Sequence, residues 1–72
     1  MYTKLYFVVA DGGYEGRESF LVNAISFASA EALVVQALGK DSDYAIDRIE
    51  LVSSSGKGAA ERILAMSIPK ES

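Results

Sequence analysis

Ten carboxylates and seven basic side chains carry the charge of this 72-residue chain, which has neither histidine nor cysteine. The missing histidine removes the side chain that titrates near neutral pH, the commonest metal ligand, and the usual partner of a serine or cysteine nucleophile. The missing cysteine removes disulfides and thiolate zinc sites. The carboxylates gather in two stretches, Asp11, Glu15 and Glu18, then Asp41, Asp43, Asp47 and Glu50. Two carboxylates work as acid and base only where a cleft raises the pKa of one of them. A single small sheet offers little cleft, so these groups read as a solvated acidic face suited to a basic protein surface. No catalytic residue, metal ligand or cofactor site is expected, and the chain is not read as an enzyme.

Two glycine-rich stretches invite more specific chemistry. "SSSGKGAAE", from Ser53, places Gly56 beside Lys57. A phosphate loop needs G-x-x-x-x-G-K-[ST] between a strand and a helix. Here Gly58 follows Lys57 and a strand is expected next, so a flexible hairpin loop is the better reading. "DGGYEG", from Asp11, lacks the alternating ligands of a calcium loop. Asp11 is expected to bond its own backbone there. Tyr14 at the tip is a candidate binding anchor. The residues expected to meet a protein partner are Tyr14, Glu15, Asp41, Asp43 and Asp47.

The basic residues, Lys4, Arg17, Lys40, Arg48, Lys57, Arg62 and Lys70, stand singly, and the formal net charge is −3. Phosphate backbones are bound by clustered lysine and arginine, so no direct nucleic-acid contact is expected. No apolar run approaches the ~18 residues of a membrane span, and the start lacks a cationic leader. One cytoplasmic domain over residues 1–72 is the expectation, with about 3–5 kcal/mol available from so small a core.

The elements that must position these groups follow from hydrophobic period. Residues 2–10 alternate as a strand, with Leu5, Phe7 and Val9 on one face and Tyr2, Lys4, Tyr6 and Val8 on the other. A glycine hairpin leads to a second strand over 18–25. A helix then starts between Ser26 and Ser29 and ends near Leu38, before Gly39 and Lys40. Residues 45–53 form a third strand whose irregular pattern predicts a bulge. Residues 61–68 form a fourth, ended by Pro69. The result is an α+β fold, a four-stranded antiparallel sheet with one helix on one face, in the order β-β-α-β-β. One helix shields one face only. Both faces of the first strand are partly apolar, so which one the helix covers stays open, and Tyr2, Tyr6 and Val8 are the residues expected at an interface between copies of the chain.

The joint between second strand and helix, "ESFLVNAISFASAEAL", followed by "IDRIELVSSSG", resembles small phage and bacterial proteins of β-β-α-β-β build. It is similar to a domain family of phages and Bacteroidetes and to some small anti-CRISPR inhibitors. Val22, Ala24, Ser26, Phe27, Ala30 and Glu31 carry the likeness. All six belong to the joint, and none is a functional residue. The resemblance implies a phage or mobile-element protein that binds a host complex, here through acidic loops, and inhibits a nucleic-acid-directed defence. The alternative expectation is a homo-oligomeric structural or small-ligand-binding protein using the open sheet face.

Overall fold

The structure, a computed structural model, describes residues 2–39 and 43–67, with only the backbone of Glu15. Along the chain come β1 (Lys4–Asp11), a short 3₁₀ turn (Gly13–Glu15), β2 (Arg17–Ala24), α1 (Phe27–Leu38), β3 (Ala45–Ser53) and β4 (Arg62–Ser67). All pairings are antiparallel, and the strands lie side by side in the order β3-β1-β2-β4. The expected α+β class with four antiparallel strands and one helix is present. Lys40, Asp41, Ile68, Pro69 and Lys70 lie outside the described residues.

The hairpin sets the register. Asp11 faces Arg17 across it, which brings Val8 opposite Phe20 and Tyr6 opposite Val22. Side chains directly opposite share a face, so Tyr6, Val8 and Ala10 lie with Phe20, Val22 and Ala24. This is the face α1 covers: those six residues, with Ala30 and Val34 from the helix, form the buried core. The alanines Ala10 and Ala24 let the helix sit close to the sheet.

β3 and β4 reach the same core through bulges. Val9 pairs with Arg48 but Ala10 with Ile46, so Asp47 is the extra residue, and a second shift leaves Val52 extra near the far end. The first bulge turns Ile46 and Ile49 to the same face, where both pack on the core. That resolves the irregular pattern of this strand. In β4, Leu64 is the extra residue, which brings Ile63 opposite Val22 and Met66 opposite Phe20.

The helix begins as a serine-capped segment. Ser26 is extended and its hydroxyl accepts from the Ser29 N–H at 3.1 Å, satisfying one free first-turn donor. Phe27 is the first helical residue, and its ring meets Tyr6 edge-on at 4.9 Å. At the other end the Gly39 N–H donates to Val35 with φ at 93°, a value glycine adopts without strain.

The 54–61 connection differs from its expected form. It is neither a hairpin nor loose, because β3 and β4 occupy opposite edges and the chain must cross the ends of β1 and β2 between them. Asn23 and Thr3, both buried, hold it there. The Asn23 side-chain amide donates to the carbonyls of Lys57, Gly58 and Ala60 at 2.8–3.3 Å and accepts from the Lys57 N–H at 2.8 Å. Thr3 donates its hydroxyl to Gly58 and accepts the Gly56 N–H on its carbonyl. Gly56 is in such close contact that a Cβ there would collide with Thr3 and Asn23. A carboxylate anchors the end of the crossing, Glu61 accepting the Ile25 N–H at 2.8 Å.

Candidate interaction surfaces

The hairpin end of the sheet is built to present Tyr14. The Gly12 N–H donates to Gly16, the Gly16 N–H to Gly13, and the Gly13 N–H to the Asp11 carboxylate at 2.9 Å. Asp11 thus starts the turn through its own backbone, as read from the sequence. Gly13 and Gly16 hold φ of 68° and 86°, which suits glycine and little else. Closed this way, the turn lifts Tyr14 wholly into solvent, at 109% relative exposure, rather than folding it back over the hairpin.

The chain entering β3 returns to the same end. A Cβ on Gly12 would lie 2.7–2.9 Å from the Tyr44 ring, so glycine is what lets that ring lie flat on the hairpin. Exposed Asp43 precedes it. Asp47, the bulge residue, lies 4.0 Å from the Arg17 guanidinium, whose Nε is 3.8 Å from Asp11. Of the expected partner-binding residues, Tyr14, Asp43 and Asp47 therefore share one end of the molecule. Asp41 and the side chain of Glu15 lie outside what is described. Arg17 offsets part of the acidic field of Asp11 and Asp47. At these distances and exposures the two pairs contribute little stability.

The expected oligomer interface is corrected. Tyr6 and Val8 are 1% and 0% exposed, enclosed beneath α1, and cannot meet another molecule while the chain is folded. Tyr2 is 90% exposed and lies beyond the start of β1, at the end away from the hairpin. The uncovered face is the opposite one. Leu5, Phe7 and Val9 lie there with Leu21 and Ala65, Phe7 directly across from Leu21 and Leu21 from Ala65. Leu5 and Val9 are buried by neighbours, whereas Phe7 and Leu21 stay half-buried and Ala65 exposed. A shallow depression of about 280 Å³, bordered by Phe7, Ser19, Leu21, Ala65 and Ser67, opens on this face. Arg48, level with Val9, and Glu50, level with Phe7, form a 3.3 Å ion pair along its β3 edge.

Among the described residues there is no group of three or more side chains able to hold a metal ion. No described helix is long and apolar enough to cross a membrane. The fold and its surfaces thus define a one-helix, open-faced α+β chain with two presentable surfaces, the hairpin end and the bare sheet face. Compared with protein-family models, curated proteins and solved structures, the chain matches none.

Proposed function

We propose that this chain is a non-enzymatic binding protein, a phage or mobile-element product acting in the cytoplasm, that engages a basic surface of a larger host complex through its hairpin end. Inhibition of a nucleic-acid-directed system is the activity that would follow. One observation carries the reading: Tyr14 is fully exposed yet held by a turn with three internal hydrogen bonds. The turn fixes the backbone that presents the ring, which lowers the ordering cost of binding, and tyrosine is enriched among residues that dominate interfaces. Asp43 and Asp47 at the same end supply the sign that favours a basic partner.

The test compares tagged wild type with Tyr14→Ser and Asp43→Lys in capture from bacterial lysate across a salt series. The expected result is a protein retained at low salt, lost with Tyr14→Ser and weakened by Asp43→Lys. Retention unaffected by either substitution removes the hairpin end from the proposal.

A second reading, self-association with or without a small ligand between copies, is favoured by the apolar depression on the bare face. A ligand held there would raise the melting temperature in proportion to the logarithm of its concentration.

A further inference from the structure

We infer that a second copy of this chain packs on the uncovered sheet face, related to the first by a two-fold axis crossing the strands at the level of Val8 and Ile49. The inference rests on reading that face as a contact surface. It adds the occupant and the register.

Charge placement argues for both. Val8 pairs with Ile49, and Arg48 and Glu50 stand one residue to either side of that level on the uncovered face. A two-fold axis there lays each strand antiparallel over its own copy. Arg48 then lies over Glu50 of the second copy, and Glu50 over its Arg48. A contact in which residue i meets j and j meets i is what a two-fold interface requires. Sheets stacked face to face lie about 10 Å apart, a gap that an extended arginine and glutamate bridge together.

Shape agrees with the same axis. The operation sets Phe7 over Val9 and Leu21 over Ser19, because those residues occupy equivalent levels on β1 and β2. Ser19, Ala65 and Ser67, all small, border the depression that would receive Leu21 of the second copy. The face is also balanced in charge, with Arg17, Arg48 and Arg62 against Asp11, Asp47 and Glu50, so two copies do not repel.

Sedimentation equilibrium from micromolar to millimolar concentration tests this on the full chain. Wild type is expected to dimerise, and Leu21→Asp to be monomeric with an unchanged circular dichroism spectrum. Should Leu21→Asp fail to fold, Ser19→Arg, which fills the depression, takes its place. Arg48→Glu and Glu50→Arg should each weaken the dimer about tenfold, since each replaces both cross-copy attractions with repulsions. Mixing the two single variants should recover wild-type affinity, because the mixed dimer restores both opposite-charge contacts. Weakened single variants with no recovery on mixing overturn the two-fold register while leaving the face as a contact. A wild type that stays monomeric at millimolar concentration, or a dimer indifferent to the change at Leu21 or Ser19, overturns the contact surface itself.

Discussion

Asn23 is the residue on which the 54–61 crossing depends. It stands in β2 across from Leu5, on the uncovered face, yet it is fully buried because the crossing passes over it. Its amide uses both ends, so truncation would strand several backbone groups at once. Leaving a buried donor or acceptor unsatisfied costs about 1–3 kcal/mol. Asn23→Ala is therefore expected to lower unfolding free energy in urea by about 2–3 kcal/mol, and a change under about half a kcal/mol would contradict the clamp. Gly56→Ala attacks the same junction sterically, since its Cβ would run into Thr3 and Asn23. It should destabilise to a similar degree. The sum of the two effects should exceed that of the double variant, because the sites touch.

At the scale of elements, α1 depends on its cap and on the face it covers. Ser26→Ala removes the bond to the Ser29 N–H and is expected to cost about 1 kcal/mol, with Ser26→Asp close to wild type. The elements themselves were largely legible, down to β3 at residues 45–53, because period and glycine punctuation are local signals. The covered face stayed open and the contact was placed on Tyr6 and Val8, although the information was present. Once Asp11 and Arg17 are matched across the hairpin, β2 offers Glu18, Phe20, Val22 and Ala24 on one side and Arg17, Ser19, Leu21 and Asn23 on the other. Only the first set provides three successive apolar positions as a bed for a helix, and β1 alone, apolar on both sides, could not decide. The crossing at 54–61 was illegible for a different reason. Whether two late strands pair with each other or take opposite edges depends on the competition for β1 and β2, which no local pattern records. The lone polar Asn23 between Val22 and Ala24 was the available signal. Of the site, Tyr14 was found through its glycine turn. The meeting of Asp47 with Arg17 required the bulge and the register.

For the whole molecule, the core is small enough that single side chains decide its fate. Phe20 is fully buried between α1 and the sheet, and removal of such a ring costs about 3–5 kcal/mol. That equals the stability expected from a core of this size. Phe20→Ala should therefore be largely unfolded at room temperature by circular dichroism, and a cooperative transition near that of wild type would show that something beyond this core stabilises the chain. Phe7→Ser, on the uncovered face, should leave the monomer's fold intact.

Burying β1 in the middle of the sheet also has a kinetic consequence. Its flank toward β2 is satisfied by a short hairpin, but its other flank waits for β3, and Thr3 meets Gly58 only across a separation of 55 residues. Contacts so distant along the chain carry a larger loop-closure cost than the hairpin and close late. Weakening the junction of Thr3, Asn23 and residues 56–58 should then accelerate unfolding in stopped-flow chevrons while leaving the refolding limb nearly unmoved. The hairpin with its docked helix would be the part that assembles first, and the long strap across the sheet end would be the latch that sets how long the finished molecule lasts.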